Sequence, residues 1–100
     1  MINLNIEYLN EIKTILLQHV PNEEILAFGS RVNGNPTPYS DLDLVIKSKK
    51  PLTLQQLSTL KDAFSASNLP IMVDILDWHA LSPSFQKKIE EAHETIQSGK

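Results

Sequence analysis

Two aspartates separated by one leucine, Asp41-Leu42-Asp43, stand ten residues after a glycine–serine pair, Gly29-Ser30. Side chains alternate faces along a strand, so Asp41 and Asp43 share one face and Leu42 and Leu44 take the other. Two carboxylates about 4 Å apart repel by roughly 4 kcal/mol at an effective dielectric near 20. A proton on one of them, or a divalent cation between them, offsets that repulsion. The Gly-Ser pair ends an apolar run, Ile25-Leu26-Ala27-Phe28. A turn there offers backbone N–H groups and a hydroxyl, which suit phosphate oxygens. A phosphate cradle beside a cation-binding carboxylate pair points to metal-assisted phosphoryl or nucleotidyl transfer.

A third carboxylate, Asp74, sits inside the apolar run Ile71-Met72-Val73-Asp74-Ile75-Leu76. Burying a lone carboxylate is costly. Asp74 is therefore either at a bend or sheet rim, satisfied by backbone donors, or part of a site. If its strand lies beside that of Asp41 and Asp43, three acids converge. Magnesium prefers oxygen ligands and keeps several waters, so two or three aspartates plus phosphate oxygens suffice for it. Two such ions can activate an attacking oxygen and stabilise a leaving pyrophosphate.

The elements that must hold these groups are legible from periodicity. Ile6, Leu9, Ile12, Leu16, Leu17 and Val20 recur at helical spacing, so residues 5–19 are read as an amphipathic helix closed by Pro21. Glu24–Phe28 reads as a short buried strand, Gly29–Gly34 as a turn into a brief helical segment, and Asn33–Pro38 as a loop. Asp41–Lys47 reads as a second strand with Leu42, Leu44 and Ile46 on its apolar face. Thr53 and Gln56 form a capping-box pattern opening a helix to Ser67, with Leu54, Leu57, Leu60, Lys61 and Phe64 on one stripe. Ile71–Leu76 is the third strand. Ser82-Pro83 starts a last helix, expected to bury Phe85, Ile89, Ala92 and Ile96. The expected fold is α/β (α+β): a small mixed sheet of three or more strands flanked by about four helices.

Composition bounds the reading. One hundred residues, 41% hydrophobic and 21% charged, fit a single domain spanning residues 1–100. The chain has no cysteine, so no disulfide or thiolate metal site is available. Without a signal-like N-terminus or a run of membrane-spanning length, the expected location is the cytoplasm. A net charge of −3 opposes bulk binding to DNA or RNA, and no direct DNA binding and no membrane association are expected. Among the remaining polar and aromatic residues, Arg31 is either a phosphate clamp or a solvated or salt-bridged arginine. Ser40 either orients Asp41 or starts the strand. Lys47 belongs with Lys49 and Lys50 to a surface loop that could also meet a phosphate. Tyr39 and Trp78 fill packing space or stack on a base. His19, His79 and His93 lack ligand spacing. Asp77 falls on the face opposite Asp74.

The pattern Gly29-Ser30, ten residues, Asp41-Leu42-Asp43 and a later Asp74 resembles the DNA polymerase beta-like nucleotidyltransferase superfamily. Phe28-Gly-Ser-Arg-Val-Asn-Gly, Tyr39-Ser-Asp-Leu-Asp-Leu-Val and Leu69-Pro-Ile-Met-Val-Asp-Ile-Leu-Asp77 look like its minimal nucleotidyltransferases, across nearly the whole chain. The resemblance implies a polymerase beta-like palm fold. It implies nucleotide binding by Gly29, Ser30 and Arg31, and ligation of two Mg2+ ions by Asp41, Asp43 and Asp74. Asp74 would also help activate the acceptor hydroxyl. Many relatives have a second basic residue where Asn33 stands. Minimal nucleotidyltransferases are commonly paired with a HEPN-domain protein, so the resemblance further implies a HEPN ribonuclease partner, ATP as substrate, AMP transfer to a partner tyrosine, and the antitoxin role of a type VII toxin–antitoxin pair. The small size makes a pocket shared with that partner an expectation. Two rivals stand beside it: an antitoxin that neutralises by binding alone, and a transferase acting on a small molecule such as an aminoglycoside.

Overall fold

The computed structural model describes residues 2, 4–34 and 40–99. Helix α1 (Ile6–His19) starts at Asn5, whose side chain accepts from the Glu7 N–H. Strand β1 (Glu24–Phe28) leads through Gly29 into the single turn α2 (Ser30–Asn33), and β2 spans Leu42–Lys47. Helix α3 (Leu54–Ser65) carries the full capping box: Thr53 caps the Gln56 N–H, and the Gln56 side chain reaches back to the Thr53 N–H. Strand β3 (Val73–Asp77), a 3-10 turn (Trp78–Ala80), helix α4 (Pro83–Glu91) and strand β4 (Glu94–Gln97) complete the chain.

The four strands form one mixed sheet in the order β3-β2-β1-β4. β1 runs antiparallel to both β2 and β4, and β2 pairs parallel with β3. The parallel pair is joined through α3, the usual crossover. α1 and α3 cover one face of the sheet, where Ile12 and Leu16 meet Ile25, Ala27, Leu42, Leu44, Ile46, Leu60, Phe64 and Ile75. The opposite face has a smaller cluster in which Ile89 of α4 packs on Leu26 and Val45.

Two element readings are corrected. The last helix stops at Ala92, and Glu94–Gln97 is a strand on the open side of β1, with Ile96 buried there and Phe85 41% exposed. His93 Nδ1 lies 3.0 Å from the Ile89 carbonyl at that helix end, which also accepts from the Ala92 N–H at 3.1 Å. β3 begins at Val73 rather than Ile71, because Pro70 and the bend after it delay the pairing. Within the predicted helical stripes, Ile12, Leu16, Leu60 and Phe64 are core, whereas Ile6, Leu17 and Leu54 face outward.

Candidate active site

The acids lie on the thinly covered face, at the end of the sheet where β1 finishes and β2 and β3 begin. In register, Phe28 pairs with Asp43 and Asp43 pairs with Asp74. Adjacent strands are about 4.8 Å apart, so Asp43 and Asp74 are side-by-side neighbours on one face. Leu42 and Leu44 point through to the core beneath. Asp41 immediately precedes β2 and is exposed, Asp43 is half-buried, and Asp74 is exposed.

Asp43 carries the electrostatic signature of this crowding. Burial pushes its carboxyl above the ordinary carboxylate range, and the neighbouring charges of Asp74 and then Asp41 push it further in the same direction. Water is withdrawn from one ion and no described cation replaces it.

Gly29 explains how the turn and the acids meet. Its backbone sits at φ 82° and ψ −158°, a region that is essentially glycine's alone. A β-carbon there would overlap Asp43 Oδ2. Glycine is therefore needed twice, for the conformation and for the close approach of main chain to carboxylate. The chain then enters α2, whose first turn directs amide donors outward. Arg31 is 6% exposed, and its Nε donates to the Ser40 carbonyl at 2.9 Å. It braces α2 against the segment that enters β2, tying the Gly-Ser turn to the Asp-Leu-Asp strand. This excludes a solvated surface arginine. Buried in a braced position, Arg31 is a part that the sequence left between two readings.

Among the described residues no three His, Cys, Asp or Glu side chains are gathered into a ready-made metal cage. The donor set nevertheless fits magnesium. All three groups are hard oxygen donors, they repel one another, and Mg2+ takes one or two carboxylates with waters and substrate phosphates rather than an all-protein cage. Zinc is a poor match, because the set contains neither imidazole nor thiolate. His79 is engaged elsewhere, its Nε2 lying 2.6 Å from the Ser48 carbonyl.

Other sequence candidates are placed away from the acids. Lys47 ends β2 about 13 Å along the strand from Asp43. Its Nζ lies 3.7 Å from Glu90 Oε2 and 4.7 Å from the centre of the Trp78 ring, so Lys47 and Trp78 pack against each other. Asp77 is buried and structural, accepting from the Leu52 and His79 N–H groups at 3.1 Å each. Tyr39 and most of the 33–38 loop lie outside the described residues. Sequence reasoning missed a groove between α3 and β3 that ends at Asp74; it is lined by Lys61, Phe64 and Ser65 of α3 and by the run 69–74, which share no motif.

Comparisons with known proteins agree with this geometry. The family model described as "Polymerase beta, Nucleotidyltransferase" matches residues 10–100. The chain is 46% identical over 96 residues to "Probable protein adenylyltransferase MntA" of Haemophilus influenzae, covering 96% of this chain and 84% of that protein. In solved structures it resembles a chain of a toxin–antitoxin complex with AMP-PNP, with a TM-score of 0.75 at 22% identity, covering 92% of this chain and 74% of that one. It also resembles a chain of the complex of a tri-AMPylated Shewanella oneidensis HEPN toxin with its MNT antitoxin, with a TM-score of 0.70 at 21% identity, covering 95% of this chain and 73% of that one. At such identities the structural likenesses speak for the fold. With the family model spanning most of the chain and the acids side by side on its sheet, this protein belongs to the polymerase beta nucleotidyltransferase family.

Proposed function

We propose that residues 1–100 form one minimal domain that acts as a Mg2+-dependent protein adenylyltransferase, moving AMP from ATP onto a tyrosine of a HEPN ribonuclease toxin, as the antitoxin of that pair. The observation that carries the reading is the register of Asp43 against Asp74, with Gly29 pressed onto Asp43. It brings the Gly29-Ser30 turn against the Asp43 carboxylate, which supports reading that turn as the phosphate cradle. The adenylyltransferase name of the Haemophilus relative and the AMPylated toxin held by the Shewanella antitoxin support the choice of substrate and partner.

In this reading Asp41, Asp43 and Asp74 hold the metal, and Gly29 and Ser30 receive the nucleotide phosphates. Arg31 keeps that turn in register with β2 from within. Magnesium, when bound, would neutralise phosphate charge and lower the pKa of a nearby hydroxyl. The acceptor oxygen forms a bond to the α-phosphorus of ATP while the bond from that phosphorus to the bridging oxygen breaks. Pyrophosphate leaves with the electron pair, and Asp74 takes the hydroxyl proton. Catalysis here is mainly positioning and charge stabilisation, which suits a site of three carboxylates and a backbone cradle.

The test is the intact mass of the neighbouring gene's product, after incubation with the wild-type chain, ATP and Mg2+. AMP-sized increments with wild type, and none with Asp41→Asn or Asp43→Asn, are expected. A stable complex without added mass would replace catalysis with inhibition by binding.

A further inference from the structure

Asp74, Asp43 and Phe28 stand in one row across the sheet, because Asp43 is paired with both of the others. Directly paired residues turn their side chains to the same face, so the row changes from acidic on β3 and β2 to aromatic on β1. Phe28 is also the residue immediately before Gly29. Helix α4 crosses this face with Ile89 in the cluster around Leu26 and, one turn nearer its start, Phe85 against Phe28. The start of α4 therefore lies toward the acid end of the sheet. The rings of Phe28 and Phe85 are 5.9 Å apart between centres and perpendicular at 88°. An edge-to-face contact takes up at most one face of a ring. Phe85 is 41% exposed where the helical stripe predicts burial. Beside it, Ser82, Ser84 and Lys88 complete a hollow of about 280 Å³. Trp78, another aromatic of this face, is packed with Lys47.

We infer that Phe85 is the stacking platform for the nucleobase of ATP, with Phe28 steadying its ring. The inference rests on the proposed use of ATP and adds where the base lies. Asp43 to Phe28 is one antiparallel step of about 5 Å between α-carbons, and Phe85 is one ring contact farther. A nucleotide whose phosphates lie on the Gly29-Ser30 turn carries its base one ribose away, within that span. Every base has a π-face, so an exposed ring receives it without a charge or a matched set of hydrogen bonds. The hydroxyls of Ser82 and Ser84 can each donate or accept at the edge of a stacked base. Polar residues complete the hollow, so the ring stands singly and is no part of the broad apolar patch that marks a protein interface. The row then has a direction: the acceptor approaches at Asp74, the α-phosphorus lies over Asp43, and the nucleoside extends past Phe28.

Calorimetric titration of the full chain with Mg2+ compares ATP with inorganic tripolyphosphate, which has no base. Phe85→Ala is expected to weaken ATP binding about tenfold and to leave tripolyphosphate binding within about twofold of wild type. Phe85→Tyr keeps the ring and is expected to hold ATP affinity within about twofold. Unchanged ATP binding by Phe85→Ala, beside a wild-type chain that binds ATP, overturns the platform and leaves the proposed activity standing. Equal weakening of ATP and tripolyphosphate also overturns it, because the ring would then only support the phosphate turn. A rise confined to the KM for the neighbouring gene's product assigns Phe85 to the acceptor and overturns it too. A wild-type chain that binds neither probe overturns the platform and the proposed activity together.

Discussion

The two faces of β2 are built to opposite rules. Leu42, Leu44 and Ile46 point into a core covered by α1 and α3, and all three are fully buried. One residue out of phase, Asp43 shares its face with Val45 and Lys47, over which only α4 and a small cluster lie. The first face removes apolar surface from water, which stabilises the fold. The second gathers like charges that oppose folding, and Asp43 shows it by holding its proton more tightly than an ordinary carboxylate. A single strand thus contributes stability through one set of residues and tolerates a local cost through the other. Such a cost persists where the crowding serves a ligand.

Substitutions can separate the two faces. The largest effect is expected at Asp43: Asp43→Asn should lower AMP transfer about a thousandfold or more, the equivalent of several kcal/mol in the transition state, without loss of stability. Leu44→Ala should do the reverse, costing about 2–5 kcal/mol in denaturant unfolding because it leaves a cavity in the covered face. Gly29→Ala should do both at once. Its backbone strain alone is worth about 1–3 kcal/mol, and the new methyl group displaces the Asp43 carboxylate, so nucleotide binding by calorimetry should weaken as the melting temperature falls. Thr53→Ala, far from the acids, should cost about 1 kcal/mol through the lost cap and leave transfer intact.

The smallest effect is a pH dependence. The folded-state pKa of Asp43 is raised above 3.8, its ordinary value. In the window between that value and the raised one, the folded chain binds more protons than the unfolded chain, so this residue's contribution to stability falls as pH rises. Below the window wild type and Asp43→Asn should be equally stable. Above it the substituted chain should hold a constant advantage, seen as a gap between their unfolding curves.

The covered face was the more legible of the two. The sequence places β1 at Glu24–Phe28 and the capping box at Thr53–Gln56, where the structure has them, because both are written in local chemistry. The family signature placed Asp41, Asp43 and Asp74 together, and the register of β2 with β3 brings Asp43 and Asp74 side by side. β4 was hidden because Phe85, Ile89, Ala92 and Ile96 also fit a helical stripe. With Ile96 its one buried residue, the strand has too little pattern of its own and is defined by pairing with the open side of β1. The brace from Arg31 to the Ser40 carbonyl was hidden for a different reason: it joins residues across a turn whose path sequence periodicity does not specify.

The measurement closest to the central claim is thermal unfolding of wild type and Asp43→Asn at neutral pH, each with and without Mg2+ and ATP. Ligand that binds only the folded chain raises its stability by mass action. The account predicts that Asp43→Asn melts at or above wild type in plain buffer, and that Mg2+ with ATP raises the melting temperature of wild type alone. It is contradicted if Asp43→Asn melts well below wild type, or if Mg2+ with ATP shifts both proteins equally.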